Sequence, residues 1–171
     1  MPSDRERVIE FLRHISPDSL ELRFFSALRP EAVTNEILGG GRSPDRLSLI
    51  LETTDAFPGQ ILGHGECARS PEDPARAEVA FLVADDHQGL GIATLLLWRL
   101  AERARTVGIR YLDARVMKEN RSMIDVFAGA GFPCTISWEA EEADVSLDIA
   151  RCPQTALLVR PAAPGAVTAI T

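Results

Sequence analysis

Val83-Ala84-Asp85-Asp86-His87-Gln88-Gly89-Leu90-Gly91-Ile92-Ala93 decides how this chain is read. Ahead of it stands Glu78-Val79-Ala80-Phe81-Leu82-Val83, an apolar run with the β-branched and aromatic residues of a buried strand. Behind it, Ala93, Leu97, Leu100, Ala104 and Val107 recur at helical spacing, with Arg99, Glu102, Arg103 and Arg105 on other faces. A strand therefore feeds a glycine-rich turn that opens a helix. The first N–H groups of such a helix lack intrahelical partners and its dipole is positive there, so the turn favours an anion. Gly89 and Gly91 have no Cβ to hold a phosphate away from the backbone. Two readings stay open at this point: a pyrophosphate cradle, or a tight connection that glycine merely shapes. A dinucleotide-binding turn fits poorly. Thr94 stands where the third glycine belongs, and five residues, Ala84 to Gln88, separate the strand from Gly89.

The rest of the chain narrows the choice of function. Its 171 residues make one domain by length, with 46% hydrophobic and 25% charged residues. A net charge of −7 and no basic run argue against nucleic acid as a partner. Lys118 is the only lysine. No apolar stretch reaches membrane-spanning length and the first residues are charged, so neither a membrane nor a signal peptide is expected. Cys67, Cys134 and Cys152 are odd in number and lack zinc-ligand spacing, as expected of thiols in a reducing cytoplasm. His14, His64 and His87 are scattered, and no metal site is expected.

In chain order, Ser3-Asp4-Arg5-Glu6 has the form of a capping box and opens a helix bearing Val8, Phe11, Leu12 and Ile15. Ser16-Pro17 restarts the helix, and a third helical segment from Pro30 to Leu38 stops at Gly39-Gly40-Gly41. Strands over Arg46 to Thr53 and Gln60 to Ala68 flank a Pro-Gly turn and lead to the central strand. Past the long helix come a strand over Arg110 to Val116 and a second helix N-capped by Asn120. That helix closes at Gly131, and a hairpin over Pro133 to Glu139 and Ala143 to Ile149 follows. The domain is expected to span residues 1–152. The segment 153–171 is expected to hold an edge strand over 155–159 and then a mobile tail from Pro161.

Gln88-Gly89-Leu90-Gly91-Ile92-Ala93 fits the Gln/Arg-x-x-Gly-x-Gly/Ala signature of the GNAT acetyltransferase superfamily, between the expected strand and the expected helix. Asn120 through Phe127 to Gly131-Phe132 resembles its second hallmark. The closest likeness is to bacterial protein lysine acetyltransferases and the acetyltransferase domains of acyl-CoA synthetases. It is carried by Ser16-Pro17-Asp18-Ser19-Leu20-Glu21-Leu22-Arg23-Phe24-Phe25 and by Ala77-Glu78-Val79-Ala80-Phe81.

The resemblance implies an α/β GNAT fold, a mixed, mostly antiparallel sheet flanked by helices and splayed at an acyl-CoA site. It implies acetyl-CoA as co-substrate. The pyrophosphate would lie on Gln88, Gly89, Leu90, Gly91, Ile92 and Ala93, and the pantetheine along Phe81, Leu82 and Val83. Thr94, Asn120 and Phe127 complete the set expected at the cofactor. Relatives begin with a strand ahead of the first helix, which this chain lacks, so the sheet either omits that edge or takes it from another segment. Many relatives carry a tyrosine where Phe127 stands.

Glu78 matches the glutamate that serves as general base in those relatives, and the chemistry agrees. A lysine ammonium with a pKa near 10.4 must lose a proton before it attacks a thioester, and a carboxylate within reach can accept it. The plainer account of Glu78 is a carboxylate held by Arg76 or Arg115. The expected acceptor is a protein lysine, such as one on an acyl-CoA synthetase. The alternatives are a small-molecule amine, or a catalytically silent acyl-CoA-binding module. An acidic patch of Glu139, Glu141, Glu142 and Asp144 is either a lure for a basic acceptor or a solvated turn.

Overall fold

Ser3 caps the first helix as the sequence predicts. Its side chain accepts from the Glu6 amide, and the Glu6 carboxylate accepts from the Ser3 amide. The computed structural model describes residues 3–25, 30–40, 45–54, 59–151 and 166–169. Three helices come first, α1 (Asp4–Leu12), α2 (Pro17–Phe24) and α3 (Pro30–Gly40). An antiparallel meander follows, of β1 (Arg46–Glu52), β2 (Ile61–Arg69) and β3 (Arg76–Val83). The central turn then leads into α4 (Ile92–Thr106), β4 (Tyr111–Met117) and α5 (Arg121–Gly129). The hairpin β5 (Cys134–Glu139) and β6 (Glu142–Asp148) and a short β7 (Ala166–Ala169) complete one sheet, ordered β5-β6-β4-β3-β2-β1-β7. Among the described residues only the β3–β4 pair is parallel, which gives the mixed, mostly antiparallel sheet that the resemblance implies.

Alternation along the strands sorts the core into two layers. Leu49, Leu51, Cys67, Val79, Phe81, Leu112, Ala114, Val145 and Leu147 point to one face, where α4 and α5 cover them. The stripe that α4 buries is Ile92, Leu96, Leu97, Leu100, Ala101 and Ala104. Val107, expected on that stripe, is exposed, because the helix ends at Thr106 and the chain turns away at Gly108 with φ +83°. β2 lets α4 come close by carrying Gly63 and Gly65. A Cβ on Gly63 would lie 2.7 Å from Ile92 Cγ2, and one on Gly65 would lie 3.0 Å from the Phe81 ring. The opposite face packs Ile50, Ile61 and Leu82 against Val8, Phe11, Leu12, Val33 and Ile37 of α1 and α3.

One expectation about the C-terminal segment needs revision and another is not reached by the described residues. Residues 155–159, read as an edge strand, lie outside the described residues, and part of the stretch read as a mobile tail is β-strand. Ala166–Ala169 runs antiparallel to β1, with Val167 opposite Leu51 and Thr168 opposite Ile50. The β-branched pair Val167-Thr168 suits a strand, and β1 offers an edge to pair with. The outer edge of β1 is thus covered by a C-terminal segment. Cys152 also lies outside the described residues, while Cys67 and Cys134 are free thiols.

Candidate active site

The parallel ladder between β3 and β4 is three residues long: Arg76 opposite Tyr111, Ala77 opposite Leu112, Glu78 opposite Asp113. Beyond Glu78 the strands part. The gap is a cavity of about 400 Å³ lined by Val79 to Val83, Ala114 to Val116, the glycine turn and the start of α5. Strand edges that part in this way leave N–H and C=O groups free to pair with an extended ligand.

At one end of the gap the turn meets α4. Gly89 and Gly91 have φ of +75° and +80°, a left-handed backbone that glycine adopts without strain. Gly91 is the N-cap of α4, and no side chain caps that helix. The first amides of α4 therefore remain available at the positive end of the helix dipole. Of the twelve residues expected at the cofactor, eleven line this cavity: Phe81, Leu82, Val83, Gln88, Gly89, Gly91, Ile92, Ala93, Thr94, Asn120 and Phe127. The exception is Leu90, whose side chain is exposed to solvent.

Asn120 enters through its backbone role. Its side chain accepts from the Met123 amide at 3.2 Å and so starts α5 beside the gap. Phe127 is fully buried, its ring 6.0 Å from that of Phe81, so it packs the floor of the cavity. A phenyl ring there supplies no proton.

Glu78 sits elsewhere. It is exposed and faces a second cavity of about 620 Å³ on the other side of the fork, with Arg69, Asp113, Arg115, Asp144 and Ser146 among its lining residues. The two cavities share Ala114 and Arg115. The plainer account of Glu78 does not hold, because Arg76 is already engaged. Its guanidinium donates to Asp113 at 2.7 and 2.5 Å and to Ser146 Oγ at 2.9 Å, and the Asp113 hydrogen bonds push the Arg76 pKa up. Arg115 pairs at 3.9 Å with Glu142. Glu78 has no hydrogen bond or ion pair among the described residues.

Three groups at the cavity went unread in the sequence. Asp85 receives the Ser16 amide at 3.1 Å, the Ser19 hydroxyl at 2.8 Å and the Gln88 side-chain amide at 3.1 Å, and so ties the turn to α2. Arg23 of α2 lines the cavity and donates to the buried Glu66 of β2 at 2.5 Å. His87 lines it too, and its ring lies 2.7 Å from Asp86, whose carboxyl that hydrogen bond holds below the usual carboxylate range. The contacts of Asp85 with α2 and of Arg23 with Glu66 join residues 43 to 69 apart, and no local pattern signals them. Among the described residues no cluster of His, Cys, Asp and Glu could hold a metal ion, and no helix is long and apolar enough to cross a membrane.

Comparison with known proteins agrees with this geometry. The sequence matches the acetyltransferase (GNAT) family over residues 10–132. It is 31% identical over 123 residues to the acetyltransferase Pat of Mycolicibacterium smegmatis, covering 72% of this chain and 36% of Pat, so it spans about a third of that relative. The fold is similar to the GNAT domain of S. lividans PAT, with a TM-score of 0.71, 30% identity and 85% of each chain covered. It also resembles a Salmonella typhimurium acetyltransferase solved with acetyl-CoA, with a TM-score of 0.60 and 15% identity over 86% of this chain and 91% of that one. With the family matched across most of its length and the splayed sheet that the motif requires, this chain belongs to the GNAT acetyltransferase family.

Proposed function

We propose that this protein moves an acetyl or other short acyl group from CoA to an amine, with a protein lysine as acceptor and Glu78 as general base. The observation that carries the reading is the fork. One cavity offers free strand edges and an uncapped helix N-terminus. The other presents a carboxylate with no partner among the described residues, and the two meet at Ala114 and Arg115. The first set suits the amides and pyrophosphate of an acyl-CoA, which would lie along Phe81 to Val83 and on the turn from Gln88 to Thr94. The second suits a cationic amine.

The chemistry asks little more of the chain. Glu78 accepts the proton that the ammonium must lose. The amine nitrogen then bonds to the acyl carbon while the carbon–sulfur bond breaks. The departing thiolate, with a pKa near 8.5 for an ordinary thiol, needs no acid from the position Phe127 holds. Free N–H groups on the parted strands would polarise the thioester carbonyl. The likeness to Pat favours a protein lysine, and the open second cavity leaves room for a segment of chain around it.

Acetyl-CoA at a hundredfold excess over Kd should add about 2.7 kcal/mol to stability. Glu78→Gln should keep that binding while acyl transfer to lysine peptides falls about 10²–10⁴-fold. Native turnover in Glu78→Gln would remove Glu78 as base. Binding without turnover of any amine by the native protein would favour a silent acyl-CoA module.

A further inference from the structure

Helix α2 forms one wall of the cavity, contributing Ser19, Leu22 and Arg23, yet little in its own sequence holds it there. It has eight residues, none of them fully buried, and its apolar Leu20 and Phe24 are only half-covered. An isolated helix of that length is marginal. Its C-cap adds strain, because Phe25 takes a left-handed φ of 56° that a residue with a side chain adopts at a cost.

Two carboxylates from elsewhere hold the helix. Asp85 takes the N-terminal end through Ser16 and Ser19. Glu66 takes the C-terminal end through Arg23. Glu66 is the unusual one. Its side chain is 6% exposed, and it sits in β2 opposite Ala80 on the face that also bears Glu78. Its Oε1 meets Arg23 at 2.5 Å, while Oε2 makes no hydrogen bond among the described residues and lies 3.7 Å from Arg46. The Nε of Arg23 is buried and likewise unsatisfied among the described residues. An ion pair that leaves two buried polar atoms without a hydrogen bond among the described residues is poorly built for stability, and two apolar side chains in its place would do as well or better. Its use is orientation.

We propose that Glu66 is a positioning residue. By holding Arg23 it seats α2 against the parted strands and sets the wall past which the acceptor reaches the thioester. The kinetic part of this proposal rests on the acyl-transfer reading above, and the seating of α2 does not.

The test is backbone hydrogen exchange, followed by kinetics. In the native protein the amides of α2 should be protected, and exchange at unprotected rates would overturn the proposal without any variant. In Glu66→Gln, and equally in Arg23→Met, exchange within residues 17–24 should quicken by about tenfold or more, while residues 92–106 quicken by no more than the measured loss of unfolding free energy accounts for. Glu66→Asp should recover part of the protection. In Glu66→Gln the KM for a lysine peptide should rise about tenfold to a hundredfold, with acetyl-CoA affinity within about twofold, because a wall shifted by an ångström misplaces the acceptor. Unchanged exchange in both variants overturns the seating. Quickened exchange with an unchanged acceptor KM overturns the positioning role. Failure of the native protein to bind acetyl-CoA would instead sink the acyl-transfer reading and leave hydrogen exchange to decide the seating.

Discussion

The two faces of the sheet are built on different terms. The face under α4 and α5 buries only apolar side chains, from Leu49 to Ile149, and closes around the Phe81–Phe127 contact. The face toward α1, α2 and α3 holds every buried polar side chain among the described residues: Thr34, Ser48, His64 and Glu66. Glu78 is on this second face as well, two positions along β3 from Ala80, the residue opposite Glu66. The contrast teaches a division of labour. Non-directional burial fixes the fold from one side, while directional and costly contacts orient the reactive groups from the other.

The largest expected effect tests the apolar face. Phe127→Ala should destabilise by about 3–5 kcal/mol, the range for emptying a buried aromatic site. Denaturant unfolding measures it, and a loss under 1 kcal/mol would mean that Phe127 serves the cavity more than the core.

The polar face should respond to pH where the apolar one cannot. His64 is fully buried, 2.9 Å from Ser48 Oγ, and burial, helped by the charges of Arg23 and Arg46, lowers its pKa from 6.5 to about 3. Below pH 6.5 the unfolded chain takes up a proton that the folded imidazole refuses until about pH 3, so stability falls as pH falls through that window. One such group contributes up to about 1.4 kcal/mol per pH unit, or about 2.3 kcal/mol between pH 6.5 and 4.5, since the slope is only half developed at pH 6.5. His64→Asn should remove that share of the slope, whatever it costs overall. Parallel pH profiles for the two proteins would show that the folded state accepts the proton.

Gly63→Ala probes how tightly α4 is pressed on its side. The new methyl would meet Ile92 Cγ2 at 2.7 Å, and a β-branched side chain in a helix has little freedom to turn away. A loss of about 1–3 kcal/mol in unfolding free energy is expected. No loss would mean that the helix rides higher on β2.

The same contrast explains what could be read beforehand. Three helix starts were legible because their signals are local: Ser3 with Glu6, Ser16 with Pro17, and Asn120 capping α5. So was the turn, since Gly89 and Gly91 stand where positive φ is needed. The apolar face followed from apolar runs and helical period, apart from Val107, one residue past the helix end. The polar face was not legible. That Arg23 meets Glu66, 43 residues on, or that Asp85 clasps Ser19, depends on tertiary distance and leaves no periodic trace. The apolar run with β-branched and aromatic residues put Glu78 in a strand. It could not say that the β3–β4 ladder stops at that residue, which is what opens the fork beside it.

The smallest expected change in stability is the sharpest test of the comparison. Glu66 and Glu78 are the same residue type on adjacent strands and the same face, diagonally across from one another. They differ in company: Glu66 is buried between two arginines, and Glu78 is exposed with none. Glu78→Gln removes a charge that water already solvates, so unfolding free energy should move by no more than about 0.5 kcal/mol. Glu66→Gln leaves Arg23 without its counter-charge and Arg46 with Glu36 alone, and should cost about 3–5 kcal/mol, as for other broken buried pairs. The order should reverse in kinetics. Glu78→Gln should lower kcat, because the proton acceptor is gone, while Glu66→Gln should act on the acceptor KM through α2. Measured side by side, equal stability losses would show that Glu78 is held by the fold after all. Equal kinetic losses would show that the fork tolerates no displacement of either carboxylate.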